Sequence, residues 1–125
     1  MPRVIGPDFV ALQVRDLEQS AAFYTQQLGL RRAQHSPPGA VVFETTPIPF
    51  AVRTPAAGVD LDAVPRLGWG VALWLACDDA DALYQSLAAT GAAVLQPPQP
   101  GPFGRQFQVQ DPNGYVLTIH NGGDR

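Results

Sequence analysis

Two stretches of this chain repeat one order of elements: an alternating strand, an aspartate, a helix, a glycine. That order limits the possible folds more than any other feature of the sequence. Residues 9–30 read FVALQVRDLEQSAAFYTQQLGL. Apolar side chains alternate from Phe9 to Val14, and Leu17, Ala21, Tyr24 and Leu28 then recur at helical spacing. Asp16 can accept hydrogen bonds from the free N–H groups of the first helical turn. Gln19 stands where a capping-box partner would, and Gly29 can take the left-handed conformation that ends a helix. The pattern returns with a strand at 71–77, Asp78 and Asp79 as acidic caps, Leu83 and Leu87 one turn apart, and Gly91 as the stop. Asp16 and Gly29 are 13 positions apart, Asp79 and Gly91 12. This near-equality favours duplication of one unit.

Between the two copies lie shorter signals. Residues 1–8 hold two prolines and a glycine and read as an irregular lead-in. A strand is expected at 30–35, a turn at Ser36, Pro37, Pro38 and Gly39, and a strand at 40–45. Pro47 and Pro49 flank 48–53, which makes that segment an edge strand or a strand entered late. The first module thus spans about residues 8–53 as strand, helix and three strands; 54–67 reads as a linker, and the second module as about 68–121. In the second module, 92–95 reads as a short strand. The proline-rich run 97–102 reads as a rigid loop unable to join a sheet interior, either a surface connector or a wall over a pocket, with Phe103 at its end. Residues 105–110 and 115–120 alternate around Asp111, Pro112, Asn113 and Gly114, which predicts a hairpin, and 122–125 reads as a frayed tail.

Composition removes several classes of function. A chain of 125 residues can bury roughly two-thirds of its unfolded surface, enough for a core without disulfides or structural metal. Cys77 is the only cysteine, so no internal disulfide can form, which fits a reducing compartment. No run is long and apolar enough for a membrane span, and no secretory leader is visible, so a soluble, cytoplasmic protein is expected. The net charge is −3 and the only basic cluster is Arg31 with Arg32, which argues against nucleic acid as a partner. All eight basic residues are arginine, so no lysine side chain can form a Schiff base.

Three stretches, VALQVRDLEQSAAFYTQQLGL, GVALWLACDDADAL and FGRQFQVQDPNGYVLTIHN, resemble the vicinal oxygen chelate superfamily, which includes glyoxalase I, extradiol dioxygenases and bleomycin-resistance proteins. The resemblance covers nearly the whole chain. It implies an α+β fold of two βαβββ modules, a curled mixed sheet around a cup with helices outside, and homodimers. In metal-dependent members it also implies a divalent ion held by histidine and glutamate on the first and last strands of the modules. Counting back seven positions from each helix-opening aspartate gives Phe9 and Ala72, and counting seven on from Asp111 gives Thr118. Ala51 is the likeliest occupant of the corresponding place on the fourth strand, beside Arg53. None of these residues is a histidine or a carboxylate, so no metal and no other cofactor is expected.

Strand alternation then names a lining. Phe9, Ala11 and Gln13 share one phase, as do Ala72, Trp74 and Ala76, and Val116, Thr118 and His120. The candidate ligand-binding residues are Phe9, Gln13, Trp74, Phe103, Thr118 and His120, a mixture of flat apolar faces and a few polar groups suited to a small molecule. Trp69, Tyr24, Phe50 and Phe103 are expected at the rim. The alternative for Phe9 and Trp74 is a closed core, and for Thr118 a strand-forming role alone. His35 and His120 read as strand-end residues near solvent; with Glu44 they could instead form a displaced metal set. Ser20 and Cys77 have no visible base partner, so catalytic residues are not expected. The leading expectation is a metal-free protein that binds or sequesters an aromatic or amphipathic small molecule. The alternatives are a lyase, isomerase, dioxygenase or thiol transferase with displaced metal ligands, and a dimeric scaffold with a filled cup.

Overall fold

A computed structural model describes residues 1–122; of the tail expected at 122–125, residues 123–125 lie outside the described residues. The chain divides into two units, Met1–Ala63 and Val64–Arg125. Each unit holds one helix and one four-stranded mixed sheet, neither sheet closed on itself, so the fold is α+β.

In the first unit, β1 (Val10–Gln13) leads into α1 (Leu17–Ala22), followed by β2 (Arg31–Arg32), β3 (Ala40–Glu44) and β4 (Phe50–Arg53). Asp16 caps α1, its carboxylate accepting from the Gln19 N–H at 3.0 Å. Residues Phe23–Gln27 continue α1 as a wider π-helical turn. There the Thr25 hydroxyl donates to the carbonyls of Ala21 and Ala22 at 3.0 and 3.3 Å, and the Leu28 N–H reaches back five residues to Phe23 at 3.2 Å. A hydroxyl competing for helical carbonyls is a known cause of such a widening. Gly29, with φ +77°, ends the helix, and the Leu30 N–H reaches back six residues to the Tyr24 carbonyl at 3.0 Å, closing the widened turn.

The strand order is β1-β4-β3-β2, with β1 and β4 parallel. The late-entered reading of residues 48–53 is therefore right and the edge reading wrong: β4 starts after Pro49 and then pairs on both sides. The strand expected at 30–35 shrinks to two residues on the sheet edge, where one neighbour alone holds it. Leu12, Val14, Phe43, Phe50 and Val52 are buried on the helix side of the sheet with Ala21 and Tyr24. The Tyr24 ring lies 5.2 Å from Phe50 and 5.7 Å from Phe43, centroid to centroid. Tyr24 and Phe50 thus belong to the core, not to a rim. Their size explains it, since burying such a ring fully stabilises by about 1.5–3 kcal/mol.

The second unit repeats the plan with β5 (Leu73–Ala76), α2 (Ala80–Ala89), β6 (Ala93–Gly101), β7 (Gly104–Gln110) and β8 (Val116–His120), in the order β5-β8-β7-β6. Asp79 caps α2 through the Ala82 N–H at 3.0 Å, and Gly91, at φ +79°, follows its end. Leu117, Ile119, Phe107 and Val109 are buried on one face of the sheet, and Tyr84 and Leu87 come from α2; the Tyr84 and Phe107 rings meet edge to face at 5.8 Å.

The proline-rich run is a strand, not a loop. β6 passes through Pro97, Pro98 and Pro100, and it can do so because it is the outer strand and bonds to β7 alone. Its register shifts twice, between Val94 and Gln96 and between Gln96 and Gln99, so the extra residues bulge out. The hairpin then turns tightly through Pro102 and Phe103 between the paired Gly101 and Gly104. The second hairpin follows its turn chemistry. The buried Asp111 carboxylate accepts from the N–H groups of Asn113 at 2.8 Å and Tyr115 at 3.0 Å.

Candidate functional site

The register of the second sheet sets its polar face in two transverse rows. Trp74, Thr118, Gln108 and Gln96 form one row; Ala76, His120, Gln106 and Gln99 form the next. The bulge at Pro97 and Pro98 keeps Gln99 in phase with Gln96, where a regular strand would turn it away. No charged residue stands in either row.

Three rings close a triangle on this face. Trp74 lies 5.6 Å from Phe103 and 6.1 Å from His120, and Phe103 lies 5.6 Å from His120. Phe103 reaches this position because it tips the β6–β7 hairpin, and it remains 43% exposed, as Trp74 remains 40% exposed. His120 is 1% exposed, which corrects its placement near solvent: the neighbouring rings and strands cover it. Its Nδ1 accepts from the Gly122 N–H at 3.1 Å. The Gln106 side-chain oxygen is buried without a hydrogen-bond partner among the described residues, and its amide fills the space where Gly101 lacks a Cβ.

Beside this triangle a cleft of about 180 Å³ is lined by Arg66, Trp69, Ala72, Gln108, Tyr115 and Thr118, among others. The Gln108 Nε2 donates to the Thr118 hydroxyl at 3.3 Å. Gly68, at φ +72°, lets the chain pass so close to Tyr115 that a Cβ there would sit 2.9 Å from the ring. Trp69 is exposed at this cleft, as a rim residue should be.

Of the sequence-predicted residues, Trp74, Phe103, Thr118 and His120 come together in the second unit. Phe9 and Gln13 belong to the first. Phe9 stands half-exposed just before β1, and the Gln13 side-chain oxygen accepts from the Ala56 N–H at 2.6 Å, tying the segment after β4 to the end of β1. Sequence reasoning passed over Gln106 and Gln108, although their alternation with Phe107 and Val109 in QFQVQ placed them opposite the core. It also passed over Arg66 and Tyr115, because neither has a local signal.

Two positions counted as metal sites, Ala72 and Thr118, both line the cleft. They do not fit a metal. Ala72 has no donor atom, Thr118 already accepts from Gln108, and among the described residues no three histidine, cysteine or carboxylate side chains gather into a possible ligand set. Glu44 lies 3.8 Å from Arg31, and His35 is exposed. Cys77 is half-buried, and burial pushes its thiol above the ordinary 9.0, aided by the Asp78 and Asp79 carboxylates and opposed by a hydrogen bond from the Asp79 backbone. A thiol held neutral is a poor nucleophile.

Two βαβββ units, each with an open mixed sheet, define a class of fold, and sequence comparison agrees with it. The profile of the glyoxalase/bleomycin resistance protein/dioxygenase superfamily matches residues 6–119, and the chain belongs to that superfamily. A Nocardioides glyoxalase/bleomycin resistance protein/dioxygenase is 24% identical with a TM-score of 0.67, covering 98% of this chain and 87% of its own. A Streptomyces glyoxalase/bleomycin resistance protein is 22% identical with a TM-score of 0.72, covering 93% and 100%. An Agrobacterium tumefaciens protein of unknown function is 23% identical with a TM-score of 0.71, covering 100% and 96%. At these identities the likeness is one of fold. No curated protein matches the chain. Among the described residues no helix is long and apolar enough to cross a membrane.

Proposed function

We propose that the second unit binds a small molecule carrying an aromatic ring, without a metal and without chemistry of its own. The observation that carries this reading is the triangle of Trp74, Phe103 and His120, with two rings left half-exposed on a face otherwise made of amides and a hydroxyl. Rings in a closed core would be covered. Here they present flat faces for stacking, while Gln106, Gln108 and Thr118 supply donors and acceptors for a ligand's edge. The presence of both Ala72 and Thr118 in the cleft supports the metal-free part of the reading, since neither offers a carboxylate or an imidazole. Neither Ser20, buried within α1, nor Cys77 supports covalent catalysis.

The test is a titration of the untagged chain with quinoline, a neutral aromatic probe, followed by tryptophan fluorescence. Both tryptophans lie in the second unit. Saturable quenching is expected, and Trp74→Ala should weaken binding about three- to tenfold, the value of one lost ring contact. Unchanged affinity in Trp74→Ala overturns the assignment of this face. Stoichiometric nickel or zinc kept through desalting overturns the metal-free part.

A further inference from the structure

The described arginines outside the lead-in are engaged, with one exception. Arg15 meets Asp62 at 2.6 Å, Arg32 meets Glu18 at 3.0 Å, Arg105 meets Asp81 at 3.1 Å and Arg31 meets Glu44 at 3.8 Å. Arg53 donates to the Thr54 carbonyl at 2.9 Å. Arg66 has no hydrogen bond or ion pair among the described residues, and it lines the cleft beside Trp69 and Tyr115. A guanidinium left open at a concave aromatic site is a ready partner for an anion. Its planar fork suits a carboxylate, which it can hold through two parallel bonds.

The rest of the cleft agrees in size and in donors. A cavity of about 150 Å³ accepts benzene, so about 180 Å³ admits one six-membered ring with one small substituent. Thr118 accepts from Gln108 and so keeps its own O–H to donate. Among the described residues no acidic side chain lines the cleft to repel a negative charge. We infer that this cleft takes a monocyclic aromatic carboxylate of the benzoate class, its ring between Trp69 and Tyr115 and its carboxylate on Arg66. The inference rests on the reading that the second unit takes small aromatic molecules, and adds a seat beside the Trp74 face with the charge and the size of what fills it.

Calorimetric titration with sodium benzoate, and with benzamide as its neutral isostere, tests it. Wild-type protein is expected to bind benzoate about tenfold more tightly than benzamide, the share of one charge-assisted contact. Arg66→Gln should bring the two within about twofold, chiefly by weakening benzoate. Arg66 is exposed and holds no partner among the described residues, so this variant should unfold at the wild-type urea concentration. Equal binding of the two probes to wild-type protein overturns the carboxylate assignment and leaves the aromatic face intact. Full benzoate preference in Arg66→Gln overturns the role of Arg66. Saturable quinoline binding without binding of either benzene derivative overturns the cleft while sparing the Trp74 face.

Discussion

Replacing Asp111 by alanine should unsettle the wall of the cleft from a distance. The Asp111 side chain is almost fully buried and accepts from the N–H groups of Asn113 at 2.8 Å and Tyr115 at 3.0 Å, with a weaker contact from the Asn113 amide at 3.4 Å. Hydrogen bonds to a charged acceptor contribute about 1.5–3 kcal/mol each, so the two backbone bonds set an upper limit of about 3–6 kcal/mol. The turn lies at the end of a hairpin, and freed N–H groups there can recover part of this from water; a net loss of about 2–4 kcal/mol follows. That is a large share of the roughly 5–15 kcal/mol that holds a domain together. Urea unfolding followed by tryptophan fluorescence reads it directly, because Trp69 and Trp74 both sit in the unit that contains the turn. Asp111→Asn, which keeps one acceptor oxygen in place, should recover all but about 1 kcal/mol. If Asp111→Ala unfolds within about 0.5 kcal/mol of wild type, or if Asn proves as costly as Ala, the carboxylate does not organise the turn.

Two further outcomes follow from local geometry and charge. Gly68→Ala should cost at least about 2 kcal/mol in thermal or urea unfolding, because it adds a clash with Tyr115 to the strain of φ +72°. Gly58→Ala is its control: at φ +79° with nothing within 4 Å of the added Cβ it carries strain alone, about 1 kcal/mol, and equal losses at the two sites would remove the close approach as a cause. Cys77 should titrate above its ordinary 9.0. A group whose folded value is raised contributes stability below its unfolded value and loses it as pH rises through the folded one. The urea midpoints of wild type and Cys77→Ala should therefore keep a constant separation up to about pH 8, with the wild type losing ground above pH 9.0; a separation constant throughout would refute the shift.

Much of the fold was legible in short stretches of sequence. Asp16 and Asp79 were readable as caps because a carboxylate and an N–H three residues on are bound to meet once a helix begins. The phase of Trp74, Thr118 and His120 was readable because side chains in a strand alternate, whatever the strand's neighbours are. The π-helical turn was less visible. The Thr25 hydroxyl bonds back to Ala21 and Ala22 within it, a choice that threonine does not make in every helix.

The errors share one physical origin. Pro97, Pro98 and Pro100 forbid a strand only where two neighbours both need the missing N–H groups, and the local sequence cannot count the neighbours of β6. Pro47 and Pro49 left an edge strand and a late-entered strand both open for residues 48–53, and the pairing of β4 with β1 and β3 decides for the second. His120 looked like a strand end near water, and the hairpin tip carrying Phe103 covers it.

Sequence alone determined the helix boundaries, the phase of the regular strands, the Asp111 turn and the absence of histidine or carboxylate at positions 9, 72 and 118. These depend on bonds and dihedral angles within a few residues of one another. Tertiary structure alone decided which strands are neighbours, that Phe103 closes a triangle with Trp74 and His120, and that Arg66 shares a cleft with Tyr115, 49 positions further along the chain. Such meetings depend on which distant surfaces bury together, and no local pattern of residues encodes that choice.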